Sequence, residues 1–252
     1  MAGLSHLSIL RQREIEHLLP LLPRGARILE FGAGTGQQAK FLRDHGFDVV
    51  AIDLASSNYA SERVFPVQDY DGEHIPLEDG SIDVIYSSNV LEHVENPSVI
   101  FSEFRRIQKA DGFGLHVLPT PAWRLWTFAA GLAASIDAAI HLPLELASPP
   151  EGQDRRHLLY RGLRRVASGF VPRGHGTSAE GLSEIWTFSR TAWRRKFHRF
   201  GFDIVEDHPM GLFHTGTAFL GSRLRPETRS RLSRFLGSGA RLYKIVPRSP
   251  VG

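Results

Sequence analysis

The segment Glu30-Phe31-Gly32-Ala33-Gly34-Thr35-Gly36 constrains this chain more than any other. An apolar run, residues 27–31, leads into glycines at alternate positions and then into a helical pattern at residues 37–45. A strand ending in such a turn belongs to a sheet whose carboxyl edge faces a ligand, because glycine leaves main-chain N–H groups open where a Cβ would block them. The next apolar run, residues 48–52, is followed by Asp53, 17 residues after Gly36. That carboxylate stands beside the glycine turn, where it can accept from two vicinal ribose hydroxyls. Capping of the segment that follows is the alternative role for Asp53. A dinucleotide fingerprint needs its third glycine three residues after its second, and that position is Gln37, so the spacing argues against NAD or FAD.

Further apolar runs at 64–67, 82–87 and 113–118 alternate with helical segments, chiefly residues 97–109, and Asp111-Gly112 supplies a turn before the run at 113. Alternation of this kind predicts an α/β fold, a mostly parallel sheet with helices on both faces. After Pro119 the rhythm breaks. Residues 120–188 read as an insertion, apolar over 123–146 and then basic and punctuated by Pro and Gly. Regular patterning returns with a helix at 190–200, a strand at 202–206 and a last strand near 217–220. Within one domain this gives an N-terminal helix (1–24), a core (25–119), the insertion (120–188), a C-terminal part of the core (189–222) and a basic, partly ordered tail (223–252).

With 252 residues, 42% of them hydrophobic, the chain can bury a substantial core. It has no cysteine, which removes disulfides, thiolate metal ligands and thiol nucleophiles. The N-terminus lacks the apolar core and cleavage site of a secretory signal, and the expected location is cytoplasmic. Net charge is only +3, but it is unevenly placed: the first hundred residues lean acidic, whereas Arg155, Arg156, Arg161, Arg164, Arg165 and Arg173 fall in a stretch without an acid. A basic half points to an anionic partner, or to solvated faces balanced by acids elsewhere in the fold.

The motifs ILEFGAGTG, VVAIDLA, YDGEHIPLEDGSIDVIYSSNVLEHV and EFRRIQKADGFGLHVLPTP occur in the order found in class I S-adenosylmethionine-dependent methyltransferases of the type 11 group, which residues 25–120 resemble. The resemblance implies a Rossmann-like, seven-stranded sheet with its last strand antiparallel, and S-adenosyl-L-methionine as cofactor. It implies that Glu30, Gly32, Gly34 and Gly36 line the methionine portion, that Asp53 binds the ribose, and that Asp71 and Gly72 meet the adenine, with Asp69 a competing candidate. Ala33, Leu54 and Asn89 lie in the same motifs and are expected at the cofactor too. Gln108-Lys109-Ala110-Asp111-Gly112 departs from the more usual Leu-Lys-Pro-Gly-Gly, but Asp-Gly preserves a turn.

The acceptor is less constrained. Ser87-Ser88-Asn89-Val90 is not the Asn/Asp-Pro-Pro-aromatic motif of base N-methylating enzymes, and carbon-5 methylation of cytosine needs the absent cysteine. In-line transfer to an oxygen or nitrogen remains, and it depends mainly on alignment. His93, just beyond the fourth strand, is the candidate general base, with a loop-fixing role for His93 and Glu92 as the alternative. His116 reads as a core histidine. From the insertion, Trp123 is expected to wall the acceptor pocket, and Arg155, Arg156 and His175 (in His175-Gly176-Thr177-Ser178) to hold an anionic group. The apolar stretch is read as too short and interrupted, at Asp137 and Pro143, to span a bilayer, leaving a lid or an interfacial contact. The expected acceptor is a small molecule, a glycan, a nucleotide-sugar or a lipid-linked intermediate; no metal is expected, and nucleic acid is disfavoured. A silent partner protein of methyltransferase fold and an RNA-directed methyltransferase are the alternative readings.

Overall fold

A computed structural model describes residues 2–150, 152–170, 175, 181–216 and 224–248. In chain order its elements are α1 (Ala2–Leu18), β1 (Arg27–Phe31), α2 (Gln37–Asp44), β2 (Asp48–Leu54), β3 (Gln68–Tyr70), β4 (Ile82–Ser88), α3 (Pro97–Ile107), β5 (Gln108–Pro119), α4 (Pro121–Ala147), α5 (Arg155–Ser168), α6 (Glu184–Thr187), α7 (Arg190–Arg199), β6 (Phe202–Pro209), α8 (Pro226–Leu236) and β7 (Ala240–Pro247). The strands form one sheet in the order β3-β2-β1-β4-β5-β7-β6. The first five are parallel, and β7 runs antiparallel to both of its neighbours.

Period-two alternation divides the apolar residues between two faces. Ile28, Val84 and Leu242 pack with Ile15 and Leu18 of α1 and Leu42 of α2. Leu29, Ile85 and Ile245 pack on the opposite face with Phe101 and Phe104 of α3 and Trp193 and Phe197 of α7. The strand order reverses between β1 and β4, so the crevice for a ligand opens beyond the carboxyl ends of those two strands.

Four sequence expectations are corrected. The third strand is Gln68–Tyr70 rather than 64–67; Phe65 is buried instead beneath the glycine turn, where a Cβ on Gly36 would come within 2.7 Å of its own Cβ. Asp111-Gly112 is not a turn before β5 but part of it: Ile82 pairs with Gln108 and Val84 with Phe113, so the residues between bulge from the ladder. The supposed tail supplies α8 and β7, and β7 sits inside the sheet between β5 and β6. Its long sequence separation from β5 hid it. Residues 217–220, read as the last strand, lie outside the described residues.

The fourth correction concerns the insertion. α4 continues through Pro143 for 27 residues, about 40 Å at 1.5 Å per residue. It is long and apolar enough to cross a membrane, and only 17% of its apolar window is buried. Its partner is α5, brought close by glycines: Gly169 lies against Gly131 and donates its N–H to Ser135 Oγ at 2.9 Å, and a Cβ on Gly162 would strike the Leu142 side chain. Pro143 lacks an N–H but is exposed, where water can take the freed carbonyl.

Leu242, Tyr243 and Ile245 of β7 are almost fully buried, and each contributes about 2 kcal/mol, together comparable with the net stability of a domain. A chain ending at residue 223 is therefore expected to lose cooperative urea unfolding. A truncated protein with the full-length transition midpoint would mean that β7 is dispensable.

Candidate active site

A cavity of about 690 Å³ opens at the carboxyl ends of β1, β2 and β4. On one side it is lined by backbone: Gly32, Ala33 and Gly34, with Gly32 at φ +74° and Gly34 at +56°. The loop is held by β2. The Gly32 and Ala33 N–H groups each donate to the Ile52 carbonyl at 2.9 Å, and Gly34 N–H donates to Asp53 Oδ2 at 2.8 Å. Asp53 also accepts from Ser57 Oγ (2.9 Å) and, through Oδ1, from Leu54 N–H (2.8 Å). Lone pairs remain on this carboxylate toward the cavity.

The opposite wall comes from the β3 side. Leu54, Asp71 and Gly72 line it, and Asp71 Oδ1 accepts the N–H groups of Glu73 and His74. Those bonds hold the Asp71 carboxyl below its usual range and fix the turn. Asp69 is paired instead with Arg63 at 2.7 Å and does not line the cavity. Asn89 and His93, beyond β4, close the floor. Asn89 is the one described residue other than glycine with positive φ (+53°), a conformation Asn tolerates better than most residues, and its amide oxygen faces Arg11 Nη2 at 3.0 Å.

Two residues expected at the cofactor do not line the cavity. Gly36 caps α2 with φ +72°, and Glu30 is buried beneath the loop. Burial pushes the Glu30 carboxyl up to about 8, an Ala39 backbone hydrogen bond opposing the shift, and its Oε2 has no partner. Both act on the loop from behind.

The end of the cavity beyond β4 leads to a second cluster. His93 and His175 meet edge to face with ring centroids 4.7 Å apart, and each presents Nε2 at 3.9 Å from the same oxygen of Glu92. Trp123, in the first turn of α4, packs on His175 at 4.6 Å, which brings the start of the insertion against this cluster. The His175 N–H donates to Glu184 of α6, whose carboxylate is paired with Arg124 at 3.0 Å, both residues being buried. Burial pushes the Glu92 carboxyl up to about 8 and lowers both imidazoles, His175 to about 4, so that the imidazoles are neutral at pH 7. His116 is a core residue: Nδ1 meets Ser87 Oγ at 2.8 Å, the ring stacks on Phe104, and burial drops it to about 3.

Arg155 and Arg156 are not brought to this cluster. They begin α5, beside the far end of α4, and the 24-residue rise from Trp123 to Ala147 is about 36 Å. In α7, Arg190 and Arg194 are answered by Asp207. Among the described residues the cations beside the cluster are Arg11, Arg124 and Lys196, none of which sequence reasoning placed there. Arg124 carried a signal as the only lysine or arginine of the apolar helix α4.

The fold and the loop geometry define a class I, Rossmann-like methyltransferase. Residues 6–207 match the family model described as a methyltransferase domain, and the chain belongs to this family of S-adenosylmethionine-dependent enzymes. Among curated relatives, the malonyl-[acyl-carrier protein] O-methyltransferase of Geobacter sulfurreducens is 32% identical over 165 residues, 60% of this chain and 57% of the relative. That of Yersinia pestis is 35% identical over 40% of each chain. The chain thus spans about half the length of the curated relatives it matches. Two solved structures share the fold. A Haloferax volcanii methyltransferase in complex with the Trm112 activator has a TM-score of 0.56 at 15% identity, covering 95% of this chain and 90% of that one. An S-adenosylmethionine-dependent methyltransferase from Mesorhizobium loti has 0.52 at 19%, covering 92% and 97%.

Two expectations follow. Asp53→Ala should weaken S-adenosylhomocysteine binding by about 1.5–3 kcal/mol in calorimetry, because it removes a charged acceptor and releases Gly34; unchanged affinity in a folded variant removes Asp53 from the cofactor site. Because the folded-state pKa of Glu30 is raised, the stability tied to its protonated form is full below about 4.5 and is lost as pH rises toward about 8. Glu30→Gln should therefore flatten the urea-stability profile across that window by a few kcal/mol, and a profile parallel to wild type would refute the shift.

Proposed function

We propose that this enzyme transfers the methyl group in line to an oxygen of an anionic acceptor presented from a membrane surface bearing anionic lipid. The observation that carries this reading is the α4–α5 hairpin. Ile136, Ile140 and Leu144 recur at four-residue spacing on α4 and are each more than half exposed, and Leu159 and Leu163 on α5 and Phe170 just beyond it add further exposed apolar side chains. A water-facing helix pair does not ordinarily keep such a surface. Arg155, Arg156, Arg161 and Arg164 accompany it, none with a carboxylate within 4 Å among the described residues, so the charge suits anionic headgroups rather than a second identical copy.

The same helix that offers this face carries Trp123 in its first turn, against His175. An acceptor anchored in lipid could thus extend along α4 to the cluster at the methyl end of the cavity. There the sulfonium supplies the activated carbon, and the chain's own part is to align the acceptor oxygen and accommodate its proton beside the neutral imidazoles of His93 and His175. The malonyl-[acyl-carrier protein] relatives, named for O-methylation of a carrier-bound acid, support an oxygen acceptor on a carrier. Free nucleotide-sugars lack such a supporting feature.

Flotation with phosphatidylcholine vesicles, with and without phosphatidylglycerol, tests the reading. Binding is expected only with the anionic lipid, and to fall about tenfold or more in the Ile136→Glu, Ile140→Glu double variant while donor affinity is kept. Lack of vesicle binding, with either a concentration-dependent dimer or a stable complex with acyl carrier protein on the same face, would overturn the lipid assignment. His93→Ala should lower turnover by about 10²–10⁴-fold with donor affinity little changed; near-normal turnover would return His93 to a structural role.

A further inference from the structure

Glu92, His93 and His175 bring one carboxylate and two imidazoles to a point at the methyl end of the cavity, their ligating atoms all within 4.8 Å of one another. Two distant stretches of chain build this arrangement. Buried Leu91 and the His93 N–H bond to the Val90 carbonyl (2.8 Å) fix the first pair at the end of β4. The Trp123 ring and the Glu184 carboxylate fix His175, and Arg124 in turn holds Glu184. Such support from behind is what orients metal-ligating imidazoles.

We propose that these three residues form a binding site for one divalent transition cation of the Zn²⁺ or Mn²⁺ class, and that this cation holds the acceptor oxygen during methyl transfer. The proposal deepens the reading of this site as the acceptor end of a methyltransferase; it does not require that the acceptor be lipid-linked. Around an ion bound at about 2.0–2.2 Å, ligating atoms stand about 3–3.5 Å apart, so the present 3.9 Å from each Nε2 to Glu92 Oε1 needs only small side-chain rotations. The edge-to-face placement of the two rings leaves their Nε2 atoms aimed toward the same carboxylate rather than stacked away from it. Three protein ligands leave a position for water or for substrate, the arrangement of catalytic rather than structural sites. Two imidazoles among three ligands favour a borderline transition ion over Mg²⁺ or Ca²⁺, which prefer oxygen.

Glu14 and Glu184 face Arg11, Arg124 and Lys196, and Glu92 would bind an ion as its carboxylate, releasing its proton on coordination, which brings three carboxylates against three cations. His93 also lines the donor cavity, so an ion there adjoins the methyl-transfer path. An acceptor hydroxyl that replaced a bound water would release its proton to solvent more readily. Its oxygen then forms the O–CH₃ bond as the S–CH₃ bond breaks, the electron pair of that bond remains on sulfur, and the products are the methyl ether or ester and S-adenosylhomocysteine.

The test uses the full chain without an affinity tag, dialysed against chelator. Zn²⁺ is titrated by calorimetry, and Co²⁺ is followed by its visible ligand-field bands. One equivalent is expected to bind, with an absorption pattern of nitrogen and oxygen ligation, and His175→Ala is expected to weaken binding about tenfold or more. Because Glu92 is buried and its replacement can unfold the protein, His175→Ala carries the comparison, with S-adenosylhomocysteine affinity kept within about twofold as proof of an intact fold. The absence of stoichiometric binding by Zn²⁺, Mn²⁺ and Co²⁺, or binding unaltered in His175→Ala, overturns the proposal. A failure of the methyltransferase reading would show separately, as loss of donor binding by the wild-type protein, and a failure of the lipid reading as metal binding without vesicle binding.

Discussion

The hydrogen bond from Gly34 N–H to the Asp53 carboxylate is the constraint on which the site depends. It joins the loop after β1 to the end of β2, so the two segments that face the cavity cannot separate without exposing a charged acceptor. Burial of Ala33, Phe31 and Ile52 behind the loop, and of Phe65 beneath Gly36, leaves the backbone little choice but positive φ. Glycine is required at positions 32 and 36 for two independent reasons. The dihedral is left-handed, and a Cβ would approach Val90 to 2.5 Å at Gly32 and Phe65 to 2.7 Å at Gly36.

From that anchor the rest of the active site is arranged in order of distance. β1 and β2 fix the donor side, β4 delivers Asn89, Glu92 and His93 to its far end, and the insertion adds Trp123 and His175 from above. The donor half is built from neighbouring parallel strands, so its geometry follows from the sheet. The proposed acceptor half is built across large sequence separations: Glu92 meets His175, and Arg124 meets Glu184. In that reading a common donor is held by a shared frame, and the acceptor by an elaboration particular to the chain.

The same division explains what could be read from the sequence. The donor half was legible because its signals are local: glycines at fixed spacing, a carboxylate after the next strand, and alternation of strand and helix. Its roles were less legible than its positions. Glu30 and Gly36 were expected against the cofactor and instead support the loop from behind, a difference of one layer that no spacing records. β7 was read as tail because its pairing with β5 spans more than a hundred residues, and the bulge in β5 looked like a turn because Asp-Gly serves both geometries. His93, Trp123 and His175 were each expected at the acceptor, but the meeting of the two imidazoles on Glu92 was not. Arg155 and Arg156 were assigned to the acceptor by charge alone, and the length of α4 carries them away from it.

The central claim is directional: the donor's methyl end points out of the glycine-loop cavity toward Glu92, His93 and His175. A crystal structure of the protein with S-adenosylhomocysteine measures this most directly. The account predicts the ribose hydroxyls at Asp53, the adenine beside Asp71 and Gly72, and the sulfur on the His93 side of the cavity. A ligand bound in the reverse sense, or seated outside this cavity, would contradict it.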